Sequence, residues 1–261
     1  MTTTFKYGGT SLTTFGVVTL LDDYLDIPER RGDNITVPYR HGTMFAAKYY
    51  DQRTITIGIV VTAASATALE TAMDTMRTLF SLQTEQTLEM TLSSTAVRNI
   101  SATVERAIQF NRLAPTIGRV VVEFVCCSPY WRLSTVITDN TTTIDATPHA
   151  MTVANPGTVE EHNATIILTG PLQNTVITNS TTGTSLTYTG TIASPRVVTI
   201  SRSAYGEYTA LTDLGANVIG NVTHSGSASL LVFTPGNNTL SITDSTHTSG
   251  SVRINFFAPF L

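Results

Sequence analysis

The stretch TITIGIVVTAASATALETAMDTMRTLFSL, Thr54 to Leu82, changes its period in mid-course. From Thr54 to Val61, Ile55, Ile57 and Ile59 alternate with polar or small neighbours, the two-residue period of a strand with one buried face. From about Thr67 to Leu82, the residues Leu69, Ala72, Met73, Met76, Leu79 and Phe80 recur every three or four positions instead. That spacing predicts a helix with one apolar face, which would pack on a sheet, and Thr67 with Glu70 has the pattern of a capping box.

Outward from this segment the chain reads as β structure. Arg119 to Val125 alternates around a buried face, and Leu88 to Met90 with Ala102 to Val104 reads as a β-hairpin around Ser93, Ser94 and Asn99. Gly8 and Gly9 mark a hairpin turn near the start. After Trp131 and Arg132 the composition changes. Residues 1–132 hold 12 of the 15 basic and 12 of the 19 acidic residues, so the first half is neutral and residues 133–261 carry the whole charge of −4. Thr and Ser fill 40 of those last 129 positions, and apolar pairs such as Ile166 with Leu168, Val176 with Leu186 and Val197 with Ile200 recur between Gly, Asn and Pro turn signals. This is the pattern of an all-β sandwich, and the expected division is a first domain at 1–132 and a second at 133–261. Trp131, the only tryptophan, is expected to be buried where the two meet.

Composition limits the function classes. The chain has 261 residues, 41% hydrophobic but only 13% charged, which argues against disorder, a coiled coil and a nucleic-acid-coating protein. A net charge of −4 disfavours binding DNA through a basic patch. The opening MTTTFKYGGTSL lacks the basic-then-apolar pattern of a secretory leader, and no window approaches 18 apolar residues, so a soluble chain without membrane insertion is expected. Cys126 and Cys127 are adjacent, too close for ordinary disulfide geometry, and are expected reduced, one on each side of a strand.

The residues that could carry chemistry are scattered. None of His41, His149, His162, His224 and His247 has a second ligand at zinc-site spacing, and no metal or cofactor is implied. Glu160, Glu161 and His162 form the densest donor cluster and read as a solvated turn. Asp22 with Asp23 is the nearest approach to a carboxylate pair, yet neighbours on a strand face opposite ways. There is no nucleophile elbow and no glycine-rich phosphate loop, so no enzyme is expected. Aromatic residues remain. Tyr188 reads mainly as core, while Tyr205 and Tyr208, flanking Gly206 in a loop, are candidate glycan-stacking residues.

Certain residues, taken in order, resemble a family. Phe5, Tyr7 and Gly8 open the chain, Pro38 and Gly42 precede the strand near Arg53, and Phe124, Cys126, Pro129, Tyr130 and Trp131 close the first half. Asn155 to Thr158, the Ile166 to Gly170 strand, the turn Phe233, Pro235, Gly236, Asn237 and Asn238, and a final VRINFFAPF follow. The series is similar to the distal tail proteins of siphophages over nearly the whole chain. That resemblance implies an N-terminal β-sandwich with one helix and a β-hairpin, then a galectin-like C-terminal β-sandwich. It also implies a structural virion protein, made in the host cytoplasm, that forms a hexameric ring at the distal end of a long noncontractile tail. Its implied partners are the tail tube protein, the tail hub or tail-associated protein and receptor-binding or side fibre proteins, with DNA passing through the lumen without specific binding. The second-half loops are short, without the long insertions that carry carbohydrate-binding modules in some relatives. The alternative is a β-sandwich lectin using Tyr205 and Tyr208. A glycoside hydrolase is disfavoured by the scarcity of acids after residue 132.

Overall fold

A computed structural model describes residues 3–21, 26–39, 41–92, 96–105, 108–141, 144–203, 206–225, 230–245 and 249–261, without the side chains of 139–141. The fold is mainly β, with one α-helix among the described residues. It divides into two compact units, Met1–Ser134 with Leu261, and Thr135–Phe260.

In the first unit, β1 (Thr4–Tyr7) and β2 (Thr10–Ser11) form a hairpin with Lys6 opposite Ser11 and Tyr7 opposite Thr10. Gly8 and Gly9 form its turn at φ of 54° and 80°, where a side chain would be strained. β3 is Val17–Leu20. Two short ribbons follow, β4 (Arg30–Arg31) with β7 (Tyr49–Tyr50) and, further out, β5 (Ile35–Thr36) with β6 (Thr43–Met44). Next come β8 (Arg53–Thr62), α1 (Ala66–Phe80), β9 (Gln86–Thr91), β10 (Val97–Ala102), β11 (Gln109–Ala114), β12 (Ile117–Cys126) and β13 (Trp131–Leu133). One sheet runs β2-β1-β9-β10-β13, and a second, four-stranded, runs β11-β12-β8-β3.

The alternation in β8 buries Ile55, Ile57 and Ile59, and the helix buries Leu69, Met73, Met76 and Phe80 on its apolar stripe. Aromatic rings join the layers: Tyr7 from β1 lies 4.9 Å from Phe124 of β12 and 6.0 Å from Phe80 of α1, between centroids. Pairs at these distances add to what their buried area contributes. The helix starts one residue before the expected one, and its cap is not Thr67. Ser65, in extended conformation, accepts from the Ala68 amide, while Thr67 already lies inside the first turn and its carbonyl accepts from Thr71. The expected hairpin is β9 with β10, but Asn99 pairs opposite Glu89 within the strand and is not a turn residue. Ser93 and Ser94 lie outside the described residues.

The second unit holds β14 (Ile137–Thr141), β15 (His149–Asn155), β16 (Thr165–Thr169), β17 (Leu172–Asn179), β18 (Thr184–Ile192), β19 (Val197–Arg202), β20 (Tyr208–Thr212), β21 (Val222–His224), β22 (Gly236–Thr243) and β23 (Ser251–Phe256). They form two five-stranded antiparallel sheets, β14-β23-β16-β19-β20 and β15-β22-β17-β18-β21. The inward rows include Ile166, Leu168, Ile200, Ile254, Leu186, Leu240 and Ile242. Ile177, and not Val176, is the inward partner of Leu186, because the two pair directly across the ladder. Asn237 and Asn238 belong to β22, a strand, although they carry turn-type residues.

Asn238 is fully buried and its side chain explains the asparagine there. Its amide nitrogen donates to the carbonyls of Thr234, Gly236 and Val153, while its oxygen accepts from the amide and hydroxyl of Thr234 and from Asn179. Asn155 acts in the same way, donating to the carbonyls of Val159 and Phe233 and accepting from the Gly157 amide. Irregular backbone needs its polar groups satisfied, and these amides supply the partners that a ladder does not.

Candidate functional site: an assembly surface

The residues that could have carried chemistry do not converge. Among the described residues, no group of three His, Cys, Asp or Glu side chains is placed to hold a metal ion. His149 lies 3.6 Å from Asp145 and His162 3.5 Å from Glu160, as surface pairs. Glu161 departs from the solvated turn expected of it. Its backbone bridges to Phe233, its carboxylate accepts from the Asn163 amide, and the residue is buried. Asp22, Asp23, His247 and Tyr205 lie outside the described residues. Tyr188 is buried in the core of the second unit. Tyr208 is half-buried in β20, with the Arg202 guanidinium 5.4 Å over its ring and His224 at 6.3 Å. Arg202 is held there by bonds to the Gly206 carbonyl and the Asn163 side chain, so a cation stacks on one face of the Tyr208 ring.

Both cysteines are free, Cys126 buried and Cys127 exposed, as their adjacency on a strand end requires. Burial pushes the Cys126 thiol up to about 12, against the partial opposition of the Arg53 guanidinium. Burial, with Cys126 beside it, also raises the Tyr7 hydroxyl, and burial lowers Arg53, whose Nε donates to the Pro129 carbonyl. A thiol held protonated in this way is a poor nucleophile.

What the first unit does present is apolar surface. The two ribbons make an arm over residues 26–39 and 41–51, closed at its base by the Asp51 amide donating to the Glu29 carbonyl. Tyr50 sits edge-on to Tyr130 at 6.3 Å and under the Arg30 guanidinium, which fixes the base to the body. Pro38 and Gly42 flank its tip, where Tyr39 and Gly42 have φ of 63° and 83°. Further along, Ile35, Tyr39, Met44 and Phe45 are exposed, Phe45 at 81%, with no core of their own. Isolated exposed apolar residues are ordinary, but several of them together on one element are the mark of a contact surface.

Two further features accompany the arm. The four-stranded sheet ends in β3 on one side and β11 on the other, each leaving an edge of unpaired backbone groups among the described residues, with Val17 and Leu113 exposed beside them. An open recess of about 530 Å³ lies along α1, lined by Thr10, Phe15, Thr71, Asp74, Thr75 and Leu79. The sequence showed the open edges only as unspecified β-rich stretches, and the arm has no periodicity by which it could be found.

The chain matches no protein-family model and no curated protein. Among solved structures it is similar to the Dit protein of phage SPP1, described as a paradigm of the hub adsorption apparatus in phages infecting Gram-positive bacteria. That similarity has a TM-score of 0.73 at 14% identity and covers 100% of both chains, so the two share a fold. A component of the phage P2 baseplate in its activated conformation with calcium matches at a TM-score of 0.49 and 10% identity, over 100% of each chain.

Proposed function

We propose that this chain is a structural virion protein of the phage tail tip. In this reading it forms a hexameric ring that joins the tail tube to the tail hub and adhesion apparatus, and it is not an enzyme. The observation that carries the reading is the fold shared with SPP1 Dit over the full length of both chains. The first unit's surface supports it, because a ring of identical subunits needs two different patches that meet head to tail, and open strand edges with a projecting apolar arm are patches of that kind. The partners are then the tail tube protein on one side and a hub or tail-associated protein on the other, with receptor-binding or side fibre proteins at the periphery. DNA passes through the lumen without being held: six copies at −4 would give a ring of −24, which does not retain a polyanion. Ring formation is assigned to the first unit and a peripheral galectin-like role to the second. Light scattering and negative-stain imaging of the purified chain test the reading. Six-fold rings are expected. A species that stays monomeric at high concentration, even with the tube or hub protein added, overturns it.

A further inference from the structure

At one end of the second unit the core between the sheets gives way to a polar cluster. Ile200 of β19 lies opposite Ala210 of β20, both buried, and two residues further along Arg202 lies opposite Tyr208 on the same face. On the other sheet His224 of β21 lies opposite Leu186, a buried residue of β18. Arg202 is the last residue of β19, Tyr208 the first of β20 and His224 the last of β21, and the rings of Tyr208 and His224 stand 6.3 Å apart, so the three side chains meet where the strands end. We infer that Arg202, Tyr208 and His224 form a binding site for an oxyanion, the phosphate or carboxylate group of a ligand. The inference is independent of the ring reading.

The placement of charge carries the argument. Residues 133–261 hold three basic residues, Arg196, Arg202 and Arg253, against seven acidic ones. Arg196 pairs with Asp213 at 3.1 Å. Arg202, in the same acid-rich unit, has neutral partners among the described residues: its Nε donates to the Gly206 carbonyl at 2.8 Å and its Nη1 to the Asn163 Oδ1 at 2.9 Å, with the Tyr208 ring centroid 5.4 Å away. These contacts fix the guanidinium without neutralising it. Two of its five N–H groups are spent on them, and the other three are left to a ligand on an exposed side chain. A guanidinium oriented in advance loses little freedom on binding, and its planar fork matches the geometry of phosphate and carboxylate. Gly206 belongs to the same construction. Its φ is 86°, and a Cβ there would stand 3.3 Å from the Arg202 Nη2, so a larger residue would crowd the guanidinium. His224, exposed beside Tyr208, carries a ring N–H whether or not the imidazole is protonated, and adds a second donor from the other sheet.

Equilibrium dialysis of the full-length chain against glucose 6-phosphate, glucuronate and glucose tests this. The first two carry the two candidate groups on the same kind of ring, and glucose carries neither. Saturable binding of at least one of the anions is expected, with glucose weaker by about tenfold. Whichever anion binds more tightly names the group. Arg202→Gln should abolish binding, whereas Arg196→Gln, which removes the same charge from the same unit, should leave it unchanged. His224→Ala should weaken it to a smaller degree. If circular dichroism shows Arg202→Gln to be unfolded, Asn163→Ala is read instead: it removes one anchor of the guanidinium and should weaken binding about threefold. No saturable binding of either anion, glucose binding as tightly as the anions, or undiminished binding by a folded Arg202→Gln or, in its place, by Asn163→Ala overturns the inference. None of these results bears on ring formation, which the mass of the full-length chain decides.

Discussion

The two units solve the problem of the exposed surface in opposite ways. The first packs a core of isoleucine, methionine and aromatic rings, yet ten of the fourteen large apolar side chains exposed among the described residues belong to it. The second closes its core with few apolar residues left outside. Its outward rows are threonine and serine, as in Thr152, Thr239, Ser241, Thr187 and Thr223, and its irregular turns are held by buried asparagines. A surface of short hydroxylated side chains gains little by being covered, whereas an apolar arm gains about 25 cal/mol for each Å² it hides. The difference teaches that the first unit leaves far more apolar surface open to solvent than the second.

The largest effect that would sharpen this contrast is at Trp131, fully buried in the first unit. Trp131→Ala is expected to cost about 3–5 kcal/mol through lost burial and the cavity left behind. In calorimetry the loss should fall on the first unit's transition. An unchanged melting profile would break the account of that core.

The matching change in the second unit is Asn238→Ala. It removes the partners of the Thr234 amide and of three carbonyls, and each buried group left unsatisfied costs about 1–3 kcal/mol. The loss should fall on the second unit and be rescued poorly by Asp, which cannot donate. Full rescue by Asp would show that the amide's donor side does not matter.

Much of this architecture is legible in the sequence because it depends on local period. Ile55, Ile57 and Ile59 mark a half-buried strand, and Leu69, Met73, Met76 and Phe80 mark a helix, whatever they pack against. What escapes is set by distant neighbours. Glu161 reads as solvated because its burial comes from pairing with Phe233, 72 positions further on. Asn238 reads as a turn residue because the same side chain that favours turns can bridge a strand to a loop. The arm escapes for another reason: its side chains face no core, so no periodicity marks them. The helix cap shows the limit at close range, since Ser65 and Thr67 both suit the role and only the backbone at Ser65 is extended.

A smaller effect separates the units by pH. The Cys126 thiol ionises near its ordinary 9.0 in the unfolded chain but only at about 12 when folded. The folded state therefore holds the proton longer, and the stabilisation it confers is complete below pH 9.0 and is lost as pH rises towards about 12. The raised Tyr7 hydroxyl acts in the same direction. Urea midpoints followed by the fluorescence of Trp131, which reports on the first unit, should fall across that range. Cys126→Ala should flatten the fall, and an equal slope in the variant would remove Cys126 from the explanation.

The smallest expected effect is at the helix cap. Ser65→Ala should cost about 1 kcal/mol, and Thr67→Ala markedly less, because only Ser65 accepts the Ala68 amide. Equal losses in urea denaturation would return the cap to the capping-box pattern.

The central claim, that assembly belongs to the first unit, is tested most directly by the solution mass of each unit made separately, residues 1–134 and 135–260, by light scattering over a range of concentrations. The account predicts a ring-sized oligomer for the first and a monomer for the second. A monomeric first unit beside an oligomeric second would contradict it, even if the full-length chain forms rings.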